Sequence, residues 1–178
     1  MKILAIRGKN LASLAGEFEV DFQAEPLASA GLFAITGPTG AGKSTLLDAL
    51  CLALFERTPR LTRASARSEI PDVGEHATTA ADPRTLLRRG AAEGFAEVDY
   101  VGREGIAWRA RWTVRRARNK QGGKLQNTEL SLTRLADGQL AGGHTKKETL
   151  QAIEESIGLS FEQFTRAVLL AQNDFATF

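Results

Sequence analysis

An α/β fold with an added antiparallel β-subdomain and C-terminal helices is predicted by three features of this 178-residue sequence. Short apolar and alternating runs near the amino end read as strands. A glycine-rich loop passes directly into an apolar, helix-forming run, and a block of strand patterns is followed by two helical segments with capping signals. The 43% apolar and 25% charged composition is that of an ordinary globular chain, which excludes a disordered, collagen-like or disulfide-stapled one.

The first strand patterns are Lys2 to Arg7 and Glu17 to Phe22, the second alternating Phe18, Val20 and Phe22 with Glu17, Glu19 and Asp21. Leu32 to Thr36 is a short, continuously apolar run that predicts a buried strand. Ser44 to Phe55 is helical by composition and apolar nearly all round, as a helix clamped in a core must be. It is expected to end near Arg57, before Pro59. Thr58 to Gly90 loses periodicity and predicts a long surface loop with one short helix at Arg84 to Arg89. Three more strand patterns follow, at Phe95 to Val101, Ile106 to Arg115 and Thr128 to Leu135. Asn119 to Gly123 forms the hairpin signal between the last two. Thr145 with Glu148 and Ser160 with Gln163 are capping boxes that open two helices, and Gly158 is the stop between them.

Cys51 is the single cysteine and sits in the apolar helix, so it reads as a small buried side chain. His76 and His144 lie in loops with no Cys or His nearby, which argues against a metal site. No run approaches the roughly 18 apolar residues of a membrane span, and Met1 to Leu4 leads into a strand rather than a signal peptide. The chain is expected to stay inside the cell. It ends at Phe178 just after the apolar run Ala167 to Ala171, which predicts a truncation.

A strand, then Gly37-Pro38-Thr39-Gly40-Ala41-Gly42-Lys43-Ser44, then a helix is the full context of a nucleotide-binding P-loop. Gly37, Gly40 and Gly42 let successive amide hydrogens point inward at phosphate oxygens, and the helix adds its positive dipole end. Lys43 is placed to reach the β- and γ-phosphates of ATP, Ser44 to ligate Mg²⁺, and Thr45 to bond the α-phosphate. A turn that merely joined strand to helix would need neither a lysine nor a hydroxyl at those two offsets. Hydrolysis needs more, because a carboxylate must orient the attacking water. No apolar run ending in Asp-Glu or Asp-Asp occurs in the chain, so catalysis is expected to be incomplete here.

Several stretches together resemble the amino-terminal head of bacterial SbcC, an SMC-like ABC-type ATPase. They are Lys2-Ile3-Leu4, Lys9-Asn10-Leu11, Gly31 to Gly37, Leu46 to Cys51, and Leu169-Leu170-Ala171-Gln172 with Phe175 and Phe178. The resemblance spans the chain and is weakest over Thr62 to Gly90. It implies an ABC-type head lobe whose coiled coil and C-terminal lobe lie elsewhere. It further implies ATP and Mg²⁺ as cofactors, a second head, an SbcD-type metallonuclease and double-stranded DNA as partners, and a nucleoid-associated place in the cytoplasm. On this resemblance Gln172 is the Q-loop glutamine, which ligates Mg²⁺ and orients water. Asn10 to Ser13 is the loop that approaches base and ribose. Two departures stand out: Ala12 replaces a residue that is often Arg, and Asn173-Asp174 follows Gln172 where Gly is common.

Formal charge is only +2, but between Arg103 and Lys124 eight basic residues face one acid, Glu104. In the strand Ile106 to Arg115, Trp108 and Trp112 share one face, read as core, and Arg109, Arg111 and Arg115 the other. With Arg116, Arg118, Lys120 and Lys124 they form a basic patch. It reads either as a solvated sheet face or, as the resemblance favours, as a sequence-independent DNA contact. Other classes stay open on the residues alone. A small nucleotide-kinase-type phosphotransferase would have its loop earlier in the chain. A transporter subunit would have Lys43 and a glutamine closer than the 129 positions between Lys43 and Gln172.

Overall fold

A computed structural model describes residues 1–64 and 68–168. Its strands in chain order are β1 (Lys2–Leu11), β2 (Leu14–Asp21), β3 (Glu69–Pro71), β4 (Ala77–Thr79), β5 (Glu93–Val101), β6 (Ala107–Arg115), β7 (Glu129–Arg134) and β8 (Leu140–Ala141). β3 and β4 form a hairpin of their own. The other six form one sheet in the order β2-β1-β5-β6-β7-β8, and every neighbouring pair is antiparallel. The strands expected to form an added β-subdomain therefore continue the sheet begun by β1 and β2, because β5 pairs along nearly the whole of β1, from Lys2 with Val101 to Lys9 with Phe95. Alternation then decides the faces. Val98, Tyr100, Ala110, Trp112 and Leu132 are buried on one side, and charged residues line the other.

Helix α1 (Lys43–Phe55) lies across β1, β5 and β6 on the apolar face. Its residues from Asp48 to Phe55 are all buried, which explains a sequence apolar on every side. Among them is Cys51, whose thiol is pushed up to about 12 by burial and by nearby Asp48 and so stays protonated. The short α2 (Pro59–Thr62) follows at once. Helices α3 (Lys146–Ile157) and α4 (Phe161–Ala167) pack over the same core. Both begin with complete capping boxes, and Gly158 ends α3 in the left-handed conformation. The buried stripe of α3, Thr149, Ile153 and Ile157, has the four-residue spacing of one helix face. Its seat on the sheet is fixed by the Tyr100 hydroxyl, 2.6 Å from Ser156 Oγ, and by the Arg103 amide, which donates to the Ser156 carbonyl.

Two expectations fail here. Leu32 to Thr36 belongs to no ladder among the described residues, and Leu32, Phe33 and Ile35 are 92%, 46% and 48% exposed. An apolar run becomes a buried strand only when another strand meets it, and none does among the described residues. Conversely, the expected long loop from Thr58 to Gly90 is partly ordered. It holds α2, the β3–β4 hairpin and a 3₁₀ turn at Pro83–Leu86. Leu61, Leu86 and Leu87 anchor it in the core. Three apolar residues spaced along a polar stretch carry no period, so this order leaves no sequence pattern.

Phe55, at the end of α1, packs against Phe164 and Phe161 with ring centroids 5.2 and 5.6 Å away. Phe164→Ala is expected to lower stability by about 3–5 kcal/mol through the cavity it leaves. Urea unfolding measures this, and a loss under about 1 kcal/mol would mean that α4 is not part of the core.

Candidate functional site

The glycine loop opens on the amino end of α1. Gly37, Gly40 and Gly42 all have positive φ, at 151°, 85° and 92°. At Gly42 the requirement is twofold, since a Cβ there would lie 2.5 Å from Leu14 Cδ2 besides straining the backbone. Gly42 caps α1 with no side-chain hydrogen bond, and its carbonyl accepts from the Thr45 and Leu46 amides at 2.9 and 3.3 Å. The amides of Lys43 and Ser44 have no acceptor among the described residues, so the first turn presents main-chain donors outward. From Pro38 and Thr39 to Ala41 the loop is exposed, and so is Ser44. Lys43 Nζ lies over the loop, donating to the Gly37 and Pro38 carbonyls at 2.7 and 2.9 Å. An uncapped helix end with the free amides of Lys43 and Ser44, and one ammonium held over the same loop, gather positive charge in one place.

Thr45 is placed differently from its neighbour. It is 2% exposed, and its Oγ1 lies 3.3 Å from Ser13 Oγ. That contact ties α1 to the turn between β1 and β2, where Asn10 and Ala12 take left-handed φ values of 52° and 45°. Asn10 braces the turn from within: its Nδ2 donates to the Glu93 carbonyl and its Oδ1 accepts from the Gly16 amide. The structure therefore brings Asn10, Ser13, Thr45 and the glycine loop to one end of the sheet, while Gln172 lies outside the described residues.

Arg88 joins this cluster, although no sequence pattern singles it out. Its Nη1 donates to the carbonyls of Ala12 and Ser13 at 3.1 and 2.9 Å, and its amide donates to the Asn10 carbonyl at 2.8 Å. With Ala12, Thr85, Leu87 and Arg89 it lines a cleft of about 360 Å³ beside the turn. The local signal is a basic pair directly after the buried pair Leu86-Leu87, and such a pair is ordinary in a surface segment.

The seven basic residues expected to share a patch do not form one. Arg109 gives Asp99 a bidentate pair at 2.7 and 2.8 Å, Arg111 donates to Glu97 at 2.6 Å while stacking on Phe95, and Arg115 meets Glu129. Arg7 joins the same ladder through Glu19, Glu97 and Asp99. Burial alone would raise the Asp99 carboxyl, but the hydrogen bonds from Arg109 and Arg7 outweigh it and hold it below the ordinary range. Acids from β2, β5 and β7 thus neutralise the stripe, as only the strand register could reveal. Arg116 is a correction of another kind, for it is 4% exposed and turned inward onto Asp72. Arg118, Lys120 and Lys124 lie exposed in the β6–β7 connection with no carboxylate partner among the described residues.

Comparison with known proteins adds a separate line. The AAA domain family matches residues 5–178. The SbcC subunit of nuclease SbcCD from Pseudomonas aeruginosa is 60% identical over 178 residues, all of this chain and 15% of that protein. Proteins of the same name from Rhodobacter capsulatus and Deinococcus radiodurans are 52% and 31% identical, over 100% and 99% of this chain and 14% and 16% of theirs. The chain spans about one seventh of the length of these curated relatives.

Gly42→Ala is expected to abolish triphosphate binding while the far-ultraviolet circular dichroism stays native, because the new Cβ must displace Leu14 and with it the first turn of α1. Gly31→Ala, at a position with open space around it, serves as the control. Calorimetry with tripolyphosphate reads both, and equal binding by the two variants would contradict the assignment of the loop.

Proposed function

Because this chain belongs to the AAA domain family, we propose that it is the ATP-binding half of a DNA-repair ATPase that drives a nuclease complex. The observation that carries the proposal is the uncapped amino end of α1 behind three glycines of positive φ, with Lys43 over the loop. Bound Mg-ATP would supply the electrophilic γ-phosphoryl group. The main-chain donors of Gly40, Gly42, Lys43 and Ser44 and the Lys43 ammonium would hold a triphosphate there, the Ser44 hydroxyl would be the Mg²⁺ ligand, and the Ser13–Thr45 contact keeps the base-side turn beside the loop. Gln172 is the proposed second ligand and water-orienting group. The alternative phosphotransferase reading finds no support among relatives that all bear the name of the nuclease SbcCD.

In this proposal residues 1–178 form the amino-terminal lobe of an ABC-type head. Hydrolysis requires a C-terminal lobe, a second head and a catalytic carboxylate not found in this sequence. The apolar run Leu32 to Thr36 supports such a lobe, since it leads into the phosphate loop outside any ladder among the described residues, with Leu32 almost fully exposed and Phe33 and Ile35 about half exposed. The relatives' name points to the D subunit of a nuclease as partner, and a metallonuclease of the SbcD type is the one proposed. Double-stranded DNA is the proposed ligand of the Arg118, Lys120 and Lys124 turn. No helix among the described residues is long and apolar enough to cross a membrane.

Isothermal titration with Mg-ATP is expected to give saturable heat with the native chain and none with Lys43→Ala, and turnover by the chain alone should be negligible. A flat titration even with the complementary lobe present would overturn the reading, and robust hydrolysis by the chain alone that Lys43→Ala abolishes would contradict its catalytic incompleteness.

A further inference from the structure

Arg116 is engaged by three separate segments. Its Nη1 and Nη2 donate to the two carboxylate oxygens of Asp72 at 2.9 and 2.7 Å, its Nε to the Ala91 carbonyl at 3.2 Å, and its Nη1 again to the Gly123 carbonyl at 3.0 Å. Asp72 opens the turn of the β3–β4 hairpin, Ala91 leads into β5, and Gly123 lies in the β6–β7 connection. A guanidinium removed from water is tolerated only when its donors are satisfied in this way. In return the Arg116 pair holds the Asp72 carboxyl below the ordinary carboxylate range.

The β6–β7 connection needs such a hold. Arg118 and Asn119 have φ values of 57° and 50°, uncommon for residues with side chains. The turn is closed by main-chain bonds from Gly123 to Lys120 and from Ala117 to Lys124, and Arg116 grips the Gly123 carbonyl from inside. The same short segment carries the three cations Arg118, Lys120 and Lys124.

We propose that the Asp72–Arg116 pair is a positioning device for nucleic-acid binding, in which an acidic residue promotes affinity for a polyanion. Asp72 locks Arg116, Arg116 locks the turn, and the locked turn presents its three cations to backbone phosphates in one arrangement. The inference rests on the reading of that turn as a DNA contact. Simple charge arithmetic makes the opposite forecast, since deleting a carboxylate near a phosphate-binding surface should tighten binding. The sign of the effect therefore separates the two.

The test is fluorescence anisotropy of the full chain on a labelled blunt duplex across a salt series. Asp72→Asn is expected to weaken binding about tenfold and to flatten the salt slope by about 0.9 for each phosphate that is no longer engaged. Mg-ATP affinity should not change, trypsin should cut at Arg118, Lys120 and Lys124 sooner, and Asp72→Glu should restore part of the DNA affinity. Equal or tighter DNA binding by Asp72→Asn overturns the positioning role. A combined Arg118/Lys120/Lys124→Ala variant is the second arm, and unchanged affinity and slope there would remove the DNA reading itself, whatever Asp72→Asn does.

Discussion

Helix α1 is buried from Asp48 to Phe55 and open at its first turn, and the rest of the molecule is arranged around that asymmetry. A helix packed between sheet and helices cannot slide or rotate without opening voids that close-packed interiors do not tolerate. Its amino end is therefore fixed relative to the sheet, and so are the donors at Lys43 and Ser44. The β1–β2 turn is held against that end by Ser13 and Leu14, and Arg88 holds the turn in its left-handed conformation. At the other end Glu56 accepts from Trp112, Thr128 and Lys146, so that β6, the strand entry of β7 and α3 all meet at the close of the same helix.

What can be read from sequence follows from which forces are local. The loop Gly37 to Ser44, the all-round apolar helix and both capping boxes depend on residues within a few positions of one another, and their patterns are direct. The pairing of β1 with β5 joins residues as far apart as Lys2 and Val101 and leaves no local trace, so one continuous sheet reads as two units. The arginine stripe misleads for the same reason. Alternation correctly separates Trp112 from Arg109 and Arg111, but it cannot show that Glu97 and Asp99 on the neighbouring strand occupy the same face. Leu32 to Thr36 misleads because hydrophobicity reports a demand for burial and not the presence of the partner that would meet it.

Charge is divided between two roles as a result. Across the open face of the sheet, Arg7, Lys9, Arg109, Arg111 and Arg115 each have a carboxylate partner, and the ladder fixes strand register more than it attracts anything. Lys43 over the glycine loop and the three cations of the β6–β7 turn have no such partner among the described residues. Both are places where the backbone is bent into positive φ and held there by contacts from distant segments, Leu14 for the first and Arg116 with Asp72 for the second. Cations carried on constrained backbone lower the ordering cost of gripping a phosphate.

We propose that the amides of Gly40, Gly42, Lys43 and Ser44 grip a triphosphate because the buried body of α1 holds them in place. Hydrogen exchange of that segment with and without Mg-ATP tests it most directly. Strong protection from Gly40 to Thr45, with the β3–β4 hairpin unchanged, is the expected result. Exchange that is the same in both conditions at saturating nucleotide would contradict it.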